Sequence, residues 1–268
     1  MDFKKERAVL SLENDLTKIE YRLDRGVFSI ISKAGGSVII RDARGGANGQ
    51  AFAGPAKRTW KQAAVADALG EGRSITITTP GEALELTQVF TLHDGRPGVV
   101  LQCGVRNTSD EPSRIKELTI LESATAWPEI LDPEDPKTLD GLAGWDRFQK
   151  TKTRVENGSS RWSYNNLLYT FTQAGERHSL VFGGLVYRDF ATTAAIDDGV
   201  VRLAGNDPVG RRVDAGELYL PEDRYFLNGG IPDPFEALEN YGGAVAIAND
   251  VKLNAYTFPT VCASVSYT

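Results

Sequence analysis

The sequence predicts an all-β protein built as a two-sheet antiparallel sandwich, and three observations carry the prediction. From residue 8 to about residue 230, apolar and polar residues alternate with a period of two. Glycine, proline and asparagine turns break the alternation at short intervals. The strands so defined are too many for one twisted open sheet, so they divide between two sheets that bury a face against each other.

The elements follow in order. Ile19, Tyr21 and Leu23 alternate with polar residues, Asp24-Arg25-Gly26 turns the chain, and Val27-Phe28-Ser29-Ile30-Ile31 runs back. Gly45-Gly46-Ala47-Asn48-Gly49 reads as a flexible turn, because neither the lysine-serine pair of a phosphate cradle nor a helix start follows it. Ser74-Ile75-Thr76-Ile77-Thr78, the Pro80-Gly81 turn and residues 84–92 form a second hairpin. His93-Asp94-Gly95-Arg96-Pro97-Gly98 then turns the chain into the strand 99–105, which ends at the loop 107–112. Further strands are expected at 167–172, 179–182, 185–190, 200–203 and 217–227. Between them, residues 126–163 form a long loop excursion that carries Trp127, Trp145 and Trp162.

A helix closes the pattern. Asp233 is its N-cap, Pro234 its first residue and Glu236 the far side of a capping box. Phe235, Leu238, Tyr241, Val245 and Ala248 recur every three or four residues, so the helix 234–250 is expected to dock through the first four of them. Asn249-Asp250 ends it, and Tyr256-Thr257-Phe258-Pro259-Thr260-Val261-Cys262-Ala263 is again β-prone. A lone strand there must add to an earlier sheet or begin a domain that is absent, and residues from 256 onward are expected to be exposed, poorly ordered or paired with a sheet edge.

The 268 residues, with 41% hydrophobic and 25% charged content, are enough for a substantial core. A net charge of −6 without a basic block argues against a nucleic-acid partner. No apolar run approaches the roughly 20 residues that cross a bilayer, and the charged start, Met1 to Arg7, is not that of a secretion signal, so no membrane partner is expected. Cys103 and Cys262 are either two buried thiols, the favoured reading, or one bridge.

Little in the sequence has the spacing of a metal site, and neither a metal nor a cofactor is assigned. Glu129, Asp132, Glu134 and Asp135 crowd one loop but match no calcium pattern, and they read as a solvated acidic loop. His93 and His178, the two histidines, are read as structural. Trp145, beside Asp146 and Arg147, and Trp162, beside Arg161 and Tyr164-Asn165-Asn166, have the neighbours of a sugar platform: an apolar ring face with polar groups around it. The same tryptophans also suit packed loop anchors.

The segment Gln88-Val89-Phe90-Thr91-Leu92 through Asn107-Thr108-Ser109-Asp110-Glu111-Pro112, with residues 180–190, resembles the amino-terminal β-supersandwich of glycoside hydrolase family 36 and related α-galactosidase-like enzymes. Residues 235–241, 248–253 and 259–262 are similar to the linker helix and first barrel strand of that family. The resemblance implies a sandwich over 1–230, a linker helix over 231–255 and, at 256–268, the start of a (β/α)₈ catalytic barrel that is absent. The catalytic aspartates of that family lie on later barrel strands, so no catalytic residue is carried over. Ala263-Ser264-Val265-Ser266-Tyr267-Thr268 departs from the family, whose first barrel strand commonly continues into a tryptophan-bearing segment, and this implies a fragment. The implied function is an accessory domain of a retaining α-galactosidase-like hydrolase, inactive alone, whose galactoside or other oligosaccharide partner binds the missing barrel. A free-standing carbohydrate-binding module and a structural or homo-oligomerising domain are the alternatives.

Overall fold

The computed structural model describes residues 1–33, 38–123, 140–143, 153–154, 160–173, 176–197 and 200–251. In chain order the strands are β1 (Asp2–Glu6), β2 (Val9–Glu13), β3 (Thr17–Arg22), β4 (Val27–Ser32), β5 (Val38–Ala47), β6 (Gln50–Ala51), β7 (Thr59–Asp67), β8 (Gly70–Pro80), β9 (Leu84–His93), β10 (Val99–Asn107) and β11 (Ser113–Glu122). They continue with β12 (Asp140–Ala143), β13 (Thr153–Arg154), β14 (Ser160–Ser163), β15 (Asn166–Gln173), β16 (Glu176–Val186), β17 (Ala191–Asp197), β18 (Val200–Val213), β19 (Leu218–Tyr219) and β20 (Arg224–Ile231), and the helix α1 (Pro234–Ala248) follows.

These strands form two antiparallel sheets. The first runs β1-β2-β3-β4-β5-β11-β18-β17-β14, with β6 beside β5. The second runs β13-β12-β15-β16-β20-β10-β9-β8-β7, with β19 beside β10. The fold is thus the expected all-β sandwich. Its cause is visible on β10, where Val99, Leu101, Cys103 and Val105 enter the core between the sheets while Val100 points to the far side. Tyr21, Phe28 and Phe90 meet at the centre of that core, Phe28 edge-on to Phe90 at 4.8 Å. Each such side chain contributes roughly 1.5–3 kcal/mol by leaving water.

Buried polar groups have partners that tie loops to the sheets. Arg58 donates to the carbonyls of Leu23 (2.7 Å), Gly54 (2.9 Å) and Phe52 (3.2 Å), fixing the segment between β6 and β7. Asp223, 1% exposed, accepts from the backbone N–H groups of Arg188, Asp189 and Phe190.

Helix α1 lies on the outer face of the second sheet, over Leu168, Val181, Leu185 and Phe226. Asp233 caps it by accepting from the N–H groups of Phe235 and Glu236. Ala237, Tyr241 and Ala244 form the buried stripe, with Leu238 and Val245 at its margin. Phe235 does not dock: it is 69% exposed. It lies two residues before Ala237, which places it about 200° round the helix from the buried stripe. Among the described residues no helix is long and apolar enough to cross a membrane.

Other expectations are corrected. Asp2–Glu6, read as a charged start, is strand β1. The strands expected at 179–182 and 185–190 are one strand, Glu176–Val186, with Gly183-Gly184 inside it. These glycines serve close approach, since a Cβ on Gly183 would stand 2.4 Å from the Asn165 carbonyl oxygen. The strand expected at 217–227 is broken into β19 and β20, with Asp223 anchoring the interruption. In the glycine-rich segment 45–49, residues 45–47 belong to β5, and only Asn48 (φ 49°) and Gly49 (φ 78°) form the turn. The acidic loop, Trp127, Trp145, Cys262 and the segment 256–268 lie outside the described residues.

Candidate functional site

Along β18, Val201 and Leu203 enter the core, so Arg202 and Ala204 face outward. The same alternation turns Ala195 out from β17, whose Ala194 and Ile196 are core residues. Strand pairing aligns these positions in one row. Trp162 of β14 stands opposite Ala195, Ala195 opposite Arg202, Arg202 opposite Glu122 of β11, and Glu122 opposite Arg44 of β5. Residues directly opposite across a ladder share a face. The first sheet therefore presents an aromatic ring, a small residue and three charged groups in succession.

Trp162 is 52% exposed and meets Tyr164 edge-on at 4.8 Å, which steadies the indole without covering it. Two strand spacings, about 10 Å, separate the Trp162 and Arg202 backbones. Ala195 floors the gap. Arg202 donates through Nη2 to Glu117 Oε1 (2.8 Å), and Arg44 donates through Nε to Glu122 Oε1 (3.0 Å). Thr119 Oγ1 donates to Glu117 Oε1 (2.9 Å). Arg202 Nε stands 3.6 Å from Glu122 Oε2, an ion pair too long for a hydrogen bond, and among the described residues this buried donor has no hydrogen-bond acceptor. A cavity of about 60 Å³ opens beside it, lined by Gly46, Gln50, Thr119 and Glu122 among others. Half-exposed ion pairs of this kind add little stability, about 0–1 kcal/mol each, but they hold donors and acceptors in fixed positions.

A larger groove of about 700 Å³ crosses β1, β2 and β3. Its lining alternates charge, with Lys4, Glu6, Lys18, Glu20 and Arg22, and Lys18 already pairs with Glu20. It carries no aromatic platform, and the Trp162 row has the better chemistry for a neutral ligand.

Of the expected platform residues, Trp162 is thus placed on an open face. Arg44, Glu117, Glu122 and Arg202 were missed because residues 78 and 85 apart in sequence meet here only through strand pairing. Their one sequence signal was a polar position on the solvent side of each strand. His93 is structural, its buried ring 3.0 Å from Asp67 Oδ1. His178 lies on β16 and is half-buried. Among the described residues no three His, Cys, Asp or Glu side chains are grouped to hold a metal.

No protein-family model and no curated protein matches this sequence. Solved structures share its fold. The GH36 α-galactosidase AgaB from Geobacillus stearothermophilus superposes with a TM-score of 0.55 at 12% identity, over 85% of this chain and 41% of its own. A putative aldose 1-epimerase from Klebsiella pneumoniae gives 0.52 at 12% identity, over 91% of this chain and 84% of its own. A TPR-domain containing protein from Parabacteroides distasonis gives 0.52 at 10% identity, over 94% of this chain and 50% of its own. The chain spans less than half the length of the α-galactosidase it resembles. At such identities the likeness is one of fold.

Proposed function

We propose that this chain is an accessory sandwich domain of a glycoside-processing protein of the α-galactosidase type, and that the outer face of its first sheet holds a sugar ring between Trp162 and Arg202. The observation that carries the reading is the cross-sheet row from Trp162 to Arg44. The C–H face of a pyranose stacks on the exposed indole, and its hydroxyls exchange bonds with the exposed part of the Arg202 guanidinium and with the Glu117 and Glu122 carboxylates. Hydrogen bonds to charged groups, about 1.5–3 kcal/mol each, favour a hydroxyl-rich ligand there over an apolar one. The likeness of fold to an α-galactosidase and to an aldose 1-epimerase supports a sugar as the ligand class. No carboxylate of this chain is assigned to catalysis, and no metal or cofactor is invoked.

The test is titration with galactose and with α-galactosides, followed by NMR and calorimetry. The expected result is saturable binding of about millimolar Kd, with shifts at residues 162–164, 193–195 and 202–204. Trp162→Ala and Arg202→Ala each weaken it by about tenfold or more, for a loss of 1.4 kcal/mol or greater, and leave the fold intact because both side chains are on the surface. Binding indifferent to Trp162→Ala overturns the site. A second reading, a free-standing sandwich with epimerase activity, is favoured by the 84% coverage of the Klebsiella protein. Accelerated interconversion of galactose anomers by the purified chain decides for it.

A further inference from the structure

We propose that β7 is a self-association edge: two copies of this chain pair antiparallel along it, about a twofold axis at Ala64. Among the described residues β7 ends the second sheet, and β8 is its only strand neighbour. It is nine residues long, and all but Trp60 and Val65 are exposed. Its pairing with β8 runs without a register shift, so no bulge twists it away. Residues 62–66, Gln-Ala-Ala-Val-Ala, have neither charge nor proline. Proteins normally guard an open edge with these devices. The neighbouring edge, β1, is so guarded: its sequence is Asp-Phe-Lys-Lys-Glu.

The register follows from the hairpin. The two-residue turn Ala68-Leu69 closes on Asp67 opposite Gly70. In a hairpin of this type that closing pair exchanges hydrogen bonds, so the backbone groups of 67, 65 and 63 point to β8. Those of 66, 64 and 62 point outward. A twofold axis at Ala64 pairs Ala64 with the partner's Ala64 and Gln62 with the partner's Ala66, each pair exchanging both of its hydrogen bonds. Between them Ala63 meets the partner's Val65, and Lys61 meets the partner's Asp67. The small side chains offer no obstruction, and the one charged pair is of opposite sign. Asp67 is held in place by His93 Nε2 at 3.0 Å and Arg224 Nη1 at 3.1 Å, so its position is fixed before association. Arg73, opposite Ala64 on β8, stands three strand spacings from its symmetry mate, about 14 Å and outside the roughly 8–10 Å over which salt leaves exposed charges coupled.

Sedimentation of the full chain over a range of concentrations, joined to cysteine cross-linking, tests the proposal. The expected result is a reversible dimer whose Kd rises at least tenfold in Ala64→Pro, which lacks an outward N–H, and rises also in Lys61→Glu, which sets like charges opposite. In a Cys262→Ser background, Ala64→Cys is expected to form a disulfide-linked dimer under mild oxidation, because hydrogen-bonded antiparallel partners stand about 5.5 Å apart at Cα, within disulfide reach. Ala66→Cys, which faces the partner's Gln62, is expected to stay unlinked. A chain that sediments as a monomer throughout, or that cross-links as readily at 66 as at 64, overturns the proposal, and neither readout depends on the proline variant folding.

Discussion

Cys103 shows how a single residue couples the core to pH. It is buried on β10, and burial pushes its thiol from 9.0 up to about 12. Between those values the folded chain keeps a proton that the unfolded chain releases. The stabilisation is therefore whole below pH 9 and is lost as pH rises, at about 1.4 kcal/mol per unit from this group. Burial also raises Tyr21 and Tyr225, which steepens the loss further up the scale. Urea midpoints measured from pH 8 to 11 are expected to fall, and less steeply in Cys103→Ala; parallel slopes in the two proteins would refute the assignment. Trp162 is the contrasting case. Its type and its neighbours, Tyr164 among them, marked it in the sequence, but Arg202 across Ala195 came from strand pairing.

At the scale of elements, α1 separates what local pattern determines from what packing decides. Asp233 and Pro234 fix the start of the helix by their own chemistry, and both act as the sequence predicts. The buried stripe does not follow the largest residues. It runs through Ala237, Tyr241 and Ala244, because small residues let the helix settle on Val181, Leu185 and Phe226. Tyr241 also donates to the Gly184 carbonyl. Thermal unfolding is thus expected to register Tyr241→Ala as a loss of about 3 kcal/mol or more, whereas Phe235→Ala stays within about 0.5 kcal/mol. Equal losses would return Phe235 to the interface. Gly183-Gly184 misled the sequence reading for a related reason. Glycine marks a turn and a close backbone approach alike, and only the neighbour, Asn165, distinguishes them.

On the scale of the whole molecule, the described residues form two sheets of ten strands that bury one core between them and a smaller one beneath α1. The described surface carries ion pairs and one aromatic row. If the proposed function holds, the purified chain binds galactosides without hydrolysing them. Release of nitrophenol from a nitrophenyl α-galactoside, abolished by Glu122→Gln or Glu117→Gln, would overturn the accessory-domain proposal. By itself the sequence determined the fold class, the hairpins β3–β4, β8–β9 and β9–β10 and the helix cap, because alternation, turn residues and capping act over a few neighbouring positions. Tertiary structure decided which strands of distant sequence lie side by side, and hence that Arg44, Glu117, Glu122, Arg202 and Trp162 share one face. It decided equally that, among the described residues, β7 ends its sheet. The period of a strand states which residues face together, but strand order depends on the burial of all the strands at once, and no local window contains that sum.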